Sequence, residues 1–287
     1  MFDRPAFKAA GKASFKRNYW LCVAVSIILA IALGSGAGGG ATYNFGNAFQ
    51  NGYDRGYYDY SYDNGFGSAF DGDFDPEFDG NMPFTGDSSF PVWPFMAAIG
   101  VVFTIILACG LAVKICAANP FQVGANRFFM ENRYANAQFS AVGAGFSKNY
   151  GNVVLTQFLK DLYIFLWTLL FIIPGIVKAY AYFCVPYILA ENPGIEHDRA
   201  ITLSWEMTYG YKGDVFVTDL SFILWAILNG LTLGILGIFF LNPYIQSTHA
   251  EVYAFLRQNA LEKGIATTVE LPGFGEAPAI SDGRWYN

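Results

Sequence analysis

Six apolar segments, separated by charged or Gly/Pro-rich sequence, run along these 287 residues at 19–33, 92–116, 153–173, 176–190, 215–228 and 235–248. In hydrocarbon a lone segment satisfies its own backbone polar groups only as a helix, and about 20 mostly apolar residues are needed to cross. Several runs are shorter, so interfacial residues must complete each span. The pattern predicts an all-α polytopic membrane helix bundle, with six transmembrane helices arranged as three helical hairpins. Composition agrees, because charged residues are 14% and mean hydropathy is +0.31, whereas soluble domains carry about 25% charged residues.

Charge divides the chain. Residues 34–91 hold the nine acids Asp54, Asp59, Asp63, Asp71, Asp73, Asp75, Glu77, Asp79 and Asp87 against Arg55 alone, so all of the chain's net charge of -6 and more resides there and the remainder is weakly basic. No basic surface is left for nucleic acid. Cytoplasmic loops collect Lys and Arg, and here Arg4, Lys8, Lys12, Lys16 and Arg17 precede the first segment. Arg127, Arg133 and Lys148 follow the second, Arg199 and Lys212 the fourth, Arg257 and Lys263 the sixth. Both termini are therefore expected in the cytoplasm and the acidic loop outside. The expected organisation is a basic amphipathic helix and first span at 1–33, an extracytoplasmic loop at 34–91, the remaining spans at 92–263 and a cytoplasmic tail at 264–287. Ala30-Ile31-Ala32 offers a signal-peptidase alternative, against which the long basic region argues. Cys22, Cys109, Cys116 and Cys184 lie in apolar segments at spacings unlike a zinc site and are expected to be packing residues.

An internal repeat organises the membrane part. Phe15-Lys16-Arg17-Asn18-Tyr19, Phe146-Ser147-Lys148-Asn149-Tyr150 and Tyr209-Gly210-Tyr211-Lys212-Gly213-Asp214 each lead into a hairpin. Each hairpin's second half carries a Pro followed by an aromatic: Asn119-Pro120-Phe121, Val185-Pro186-Tyr187 and Asn242-Pro243-Tyr244. Pro120, Pro186 and Pro243 are thus expected at equivalent places, Pro186 and Pro243 kinking helices, with Lys16, Lys148 and Lys212 at equivalent membrane boundaries. Interfacial amphipathic helices are expected near 139–149 and 196–210, because Phe139, Val142, Gly143 and Phe146 share one face, as do Ala200, Leu203, Met207 and Tyr211. Lys8, Lys12 and Lys16 form a basic stripe beside Phe7 and Phe15 that would face anionic headgroups at the inner leaflet. Pro174-Gly175 and Gly230 with Gly234 read as hairpin turns.

Phe128-Phe129, Leu166-Trp167, residues 172–180 (IIPGIVKAY), 186–193 (PYILAENP), Asp219-Leu220-Ser221-Phe222 and Pro243-Tyr244 resemble the signature blocks of a bacterial domain-of-unknown-function membrane family. More distantly, the Pro186 to Asn192 stretch followed by a Ser204-Trp205 helix is similar to the membrane domain attached to some glycerophosphodiester phosphodiesterases. The resemblance implies a multi-pass protein of the bacterial cytoplasmic membrane and transfers no catalytic residue. The aromatic, acidic insertion departs from the family pattern.

No catalytic constellation is visible. His197 and His249 are the only histidines, neither has ligand partners at helical spacing, and no nucleophile elbow or P-loop occurs. Ionisable residues within spans are the stronger signal, since a charge there is costly and faces a partner or a wet path. Lys160, Asp161 and Asp219 are such residues; Gln157, Asp161 and Thr168 share one helical face, and Asn242, Gln246, His249 and Tyr253 another. They either lock helices together or line a solute path joining Asp161, Asn242 and Gln246. In the loop, Asp71, Asp73, Asp75, Glu77 and Asp79 alternate as in a Ca2+ site, but Pro76 and Met82 stand where the EF-hand needs Gly and Glu. Weak Ca2+ binding there is the only cofactor expectation. The expected partners are membrane lipids and other membrane proteins, and the expected role is non-catalytic and structural within the envelope, with transport of a small solute or lipid as the alternative.

The charge distribution makes a direct prediction about topology. Cysteines replacing Gly52, Gly67 and Gly86 should react with an impermeant thiol reagent from outside, and cysteines replacing Lys12, Lys148, Lys212 and Lys263 should not. Labelling at 148 or 263 would exclude six spans.

Overall fold

The computed structural model describes residues 2–32, 93–146 and 149–274. The acidic loop, with its Asp71, Asp73, Asp75, Glu77 and Asp79 site, and the boundary position Lys148 lie outside the described residues. Within them every regular element is helical and no strand occurs. Met96–Glu131, Tyr150–Leu170, Ile172–Glu191 and Lys212–Leu231 are long and apolar enough to cross a membrane, and a bent pair at the N-terminus can be counted as a fifth.

That pair is α1 (Arg4–Arg17) and α2 (Tyr19–Ala32), which meet at 102°. Asp3 caps α1 by accepting from the Ala6 N–H, and Pro5 sits in the first turn, where no donor is lost. Asn18 leaves helical geometry and its side chain donates to the Ala137 carbonyl, so the bend is held from outside the helix. Phe7 and Phe15 are buried while Lys12 and Lys16 stay exposed, as the amphipathic spacing predicts.

α3 (Trp93–Val113) runs through a π-helical turn, Lys114–Ala118, into α4 (Asn119–Glu131). A 3-10 helix at Phe139–Phe146 follows. α5 (Tyr150–Leu170) is followed by α6 (Ile172–Ala181), continued after a turn by α7 (Val185–Glu191). α8 (His197–Met207) leads to α9 (Lys212–Leu220) and α10 (Ile223–Leu231), and a second π turn, Gly237–Leu241, opens into α11 (Asn242–Glu262).

The apolar exterior has the distribution a lipid environment requires. Leu169, Ile173, Leu224 and Leu231 at the hairpin ends are each at least 73% exposed, which in water would be a large penalty. The polar and ionic residues instead collect inside, between α4, α5, α7, α8 and α11.

Details of the turns differ from the sequence expectation. Between α5 and α6 Phe171 is extended, and Pro174 belongs to the first turn of α6, where its missing N–H costs nothing. Gly175 serves close packing: a Cβ there would collide with Thr168 of α5. After α10 Gly234 takes the left-handed backbone (φ 85°), whereas Gly230 remains helical. Of the cysteines, Cys22 and Cys184 are packed inside as expected, but Cys109 and Cys116 face outward.

The three prolines lie where regular α-helix is interrupted, Pro120 and Pro186 inside the longer helical runs Met96–Glu131 and Ile172–Glu191. Each stands at the second residue of a new helix, after a break. Before Pro120 and Pro243 the break is a π turn in which the Asn119 N–H donates to the Lys114 carbonyl and the Asn242 N–H to the Gly237 carbonyl. The widened turn absorbs the ring, which would clash in a regular α-turn. Before Pro186 it is the turn at 182–184.

The helices that follow pack at backbone distance on amphipathic segments. α4 lies on the 3-10 helix so closely that a Cβ on Gly124 would overlap the Val142 carbonyl, and one on Gly145 the Pro120 carbonyl. α1 lies on α11, where a Cβ on Gly11 would come within 2.8 Å of the Thr248 backbone. Ser204 and Thr208 of α8 donate to the Ala181 carbonyl just before α7. α8 buries Ala200, Leu203 and Met207 as its spacing predicts. The segment at 139–146 differs because a 3-10 helix has three residues per turn: Val142 and Gly145 are buried in register while Gly143 and Phe146 turn outward.

Gly124→Ala should therefore destabilise the protein by about 2–3 kcal/mol, since the backbone carbonyl it meets cannot rotate away. Gly100→Ala, on the open face of α3 where a Cβ meets nothing, should leave the thermal unfolding midpoint unchanged or slightly raised. Equal effects of the two substitutions would refute the contact.

Candidate functional site

Three polar clusters sit between the helices, and each uses a side chain that helical spacing alone places on an inward face. The first is on α5. Asp161 accepts from the Asn119 amide of α4 (3.2 Å) and pairs with Lys160 (3.1 Å). Gln157, one turn earlier, is fully buried and neither of its amide atoms has a hydrogen-bond partner. Thr168, on the same predicted face, bonds back to the Ile164 carbonyl on an exposed stretch, so the stripe is not continuous.

The second cluster joins α6, α9 and α11. The Tyr180 hydroxyl donates to Asp219 Oδ2 (3.0 Å), and His249 Nε2 lies 2.6 Å from Asp219 Oδ1. Phe183 packs edge-on against the imidazole at 5.3 Å. Asp219 and His249 are both visible in the sequence as intramembrane polar residues, but their pairing is not, because they lie on helices 30 residues apart. Among the described residues no hydrogen bond joins a hydroxyl or thiol to His249.

Asn242 is buried with its carbonyl oxygen unpartnered, and Gln246 is half-buried. No hydrogen bond among the described residues joins either of them to Asp161.

Sequence reasoning missed the third and most buried cluster. The Glu191 side chain is 0% exposed. Its Oε1 accepts from Arg257 Nε (2.7 Å) and the Gly273 N–H (2.6 Å), and its Oε2 accepts from the Tyr253 hydroxyl (2.8 Å). Arg257 also donates to the Leu271 carbonyl, and Tyr187 stacks on Tyr253 with ring centroids 4.8 Å apart. A signal existed: the polar face of Asn242, Gln246, His249 and Tyr253, continued by one turn, reaches Arg257. Nearby, Arg133 and Glu251 form a second buried ion pair at 2.8 Å.

The C-terminal segment 265–274 closes over this end as a strap. Arg199 holds it by donating to Glu270 Oε1 (2.6 Å) and the Ile265 carbonyl, and by pairing with Glu206. All three Arg199 nitrogens are thereby engaged, so the open cleft of about 550 Å³ lined by Arg199, Trp205, Glu206, Tyr209, Gly264 and Ile265 presents an aromatic rather than a cationic surface. Among the described residues no group of three or more His, Cys, Asp or Glu is placed to hold a metal ion.

Residues 169–260 match the model of a family described as a protein of unknown function (DUF975). The match contains every member of the second cluster and Glu191, Tyr253 and Arg257 of the third. No curated protein and no solved structure matches the chain.

The strap carries a pH dependence. The Arg199 guanidinium, helped by the Thr267 N–H and hydroxyl, lowers the Glu270 carboxyl from an ordinary 4.5 to about 2 against a smaller opposing effect of burial. The attached form thus binds fewer protons than the released form between those values, so the stabilisation is complete above pH 4.5 and lost as the pH falls toward 2. Protection of the Leu271 amide, corrected for intrinsic exchange, should fall over that window, and Glu270→Gln should remove the step. A step that survives the substitution would assign it to another group.

Proposed function

We propose that this is a six-span protein of the bacterial cytoplasmic membrane, with both termini in the cytoplasm, whose role in the envelope is structural and not catalytic. The observation that carries the reading is the fate of the intramembrane ionisable groups. Asp161, Asp219 and His249 are each consumed in tying one helix to another, whereas a solute route would leave them facing a shared polar path.

The reading includes three hairpin units about an axis along the membrane normal. It is supported by the break before each of Pro120, Pro186 and Pro243, and by what each following helix meets. α4 meets the 3-10 helix that opens the second unit, α7 meets α8 that opens the third, and α11 meets α1 that opens the first. Such a cyclic order closes the bundle without a free end. The sixth span begins in the π turn at Gly237–Leu241 and continues into the buried first half of α11. The aromatics of the acidic loop would lie at the outer headgroup boundary.

Transport of a small solute or lipid is the second reading, favoured by polar atoms that are buried without partners at Gln157, Asn242 and Ser247. Water fills such positions in many proteins. The two readings separate at Gln157. Removing an unsatisfied buried amide is neutral or stabilising where it only packs, so Gln157→Leu should raise or preserve the thermal midpoint, and vesicles bearing the wild-type protein should release none of a panel of trapped small solutes. Release that Gln157→Leu abolishes would overturn the structural reading in favour of transport.

A further inference from the structure

Residues 265–274 lie on the protein in the manner of a bound peptide. Past Ala266 no backbone–backbone hydrogen bond among the described residues joins them to another element, and the Leu271 N–H turns back to the Thr267 carbonyl. Side chains of other elements grip the main chain instead. Arg199 of α8 donates to the Ile265 carbonyl (2.9 Å), Asn192 after α7 to the Glu270 carbonyl (3.1 Å) and Arg257 of α11 to the Leu271 carbonyl (2.8 Å). Arg199 also receives the Glu270 carboxylate, and the neighbouring Leu271 is fully buried, whereas Thr267, Thr268 and Val269 are exposed.

The face beneath keeps its charges matched without the segment. Arg257 and Tyr253 hold the Glu191 carboxylate (2.7 and 2.8 Å), and Arg199 pairs with Glu206 (3.0 Å). Lifting the strap therefore leaves no buried ion unpaired, which is the usual obstacle to opening such a surface. The face is also longer than its occupant. The cleft beside Arg199 begins at Gly264 and Ile265, where the strap begins. The chain arrives there from α11 through the left-handed Gly264 (φ 68°) and skirts the cleft without filling it. Trp205 and Tyr209, with ring centroids 5.8 Å apart, line the unfilled part.

We infer that α7, α8 and α11 form a peptide-binding groove, occupied in cis by residues 265–274, whose partner in trans is an extended segment of another protein carrying an acidic residue followed by an aliphatic one and preceded by apolar residues. Arg199 selects the acid through a charge-assisted bond, while Asn192 and Arg257 read main-chain carbonyls that any extended chain presents. The site of Leu271 takes the aliphatic residue. The preceding apolar residues fall in the cleft, where the indole and phenol rings offer area that the strap does not cover. Charge complementarity fixes the class of partner: the groove presents donors at each of these points, which suits an acidic segment and not a basic one. The inference goes beyond the structural role and does not depend on it.

The test uses the full chain in detergent micelles and a fluorescent peptide of residues 265–274, with binding read by anisotropy. In the wild type the tethered copy competes at an effective concentration on the order of millimolar, so the peptide should bind weakly. Glu270→Gln in the chain loosens the tethered copy and leaves the groove intact, and the peptide should bind this variant about ten-fold more tightly than the wild type. A peptide with Gln in place of Glu270 should bind the variant about ten-fold less tightly than the native peptide, and Arg199→Gln added to the variant should erase that difference. Two leucines added before Ile265 of the peptide should strengthen binding by about ten-fold, and Trp205→Ala should cancel the gain. Equal affinity of the wild type and Glu270→Gln for the peptide overturns the cis-occupied groove. Equal affinity of the acidic and amide peptides overturns the acidic partner, and leucines that gain nothing overturn its apolar extension. A wild-type dimer that the peptide dissociates would assign the groove to a second copy and overturn a separate partner. Should Glu270→Gln fail to fold, Thr267→Val, which removes the hydroxyl donor to the same carboxylate, takes its place, and unchanged peptide affinity there overturns the proposal.

Discussion

Tyr253 and Arg257, one turn apart on α11, converge on a Glu191 carboxylate that is closed off from solvent, and the Gly273 N–H completes its shell. A buried carboxylate without such donors would cost several kcal/mol. With them it fixes three things at once: the depth of α7 against α11, the rotation of α11 about its own axis, and the position of the strap. The rotation matters furthest away, because the same face of α11 presents His249 to Asp219 and so sets how α6 and α9 meet it.

Close backbone approach supplies the remaining constraint. Gly124, Gly145 and Gly11 let amphipathic segments lie against α4 and α11 without intervening side chains, which gains dispersion contacts where lipid offers no hydrophobic drive to associate. The breaks before Pro120, Pro186 and Pro243 are coupled to this packing. The Pro-aromatic segments bury most of their residues, whereas α3, the helix before Pro120, is exposed along its described residues. Arms with exposed Leu and Ile and an interior with paired charges are two halves of one arrangement.

The electrostatic pattern follows depth. Groups inside the bundle are matched in pairs across helices, as with Arg133 and Glu251. Arg199 and Glu270 hold the strap through a half-exposed pair that responds to acid. Lys178 and Lys212 lie over aromatic rings.

The helical class, the apolar segments, the inward faces of α1 and α8, and the polar residues Asp161, Asp219 and His249 were legible in the sequence, because helical periodicity and the cost of charge in hydrocarbon are local properties. Helix boundaries were legible to within a few residues, and Pro174 and Phe146 show why not better: a proline fits the first turn of a helix as well as a turn before it, and a 3-10 segment shifts every face. What only the tertiary structure decided is who partners whom. Spacing along α11 places Tyr253 and Arg257 on one face, yet nothing in it says that the carboxylate they meet is Glu191, 66 residues before Arg257. That choice depends on crossing angles and on the depth of each helix, which are set by packing of the whole bundle.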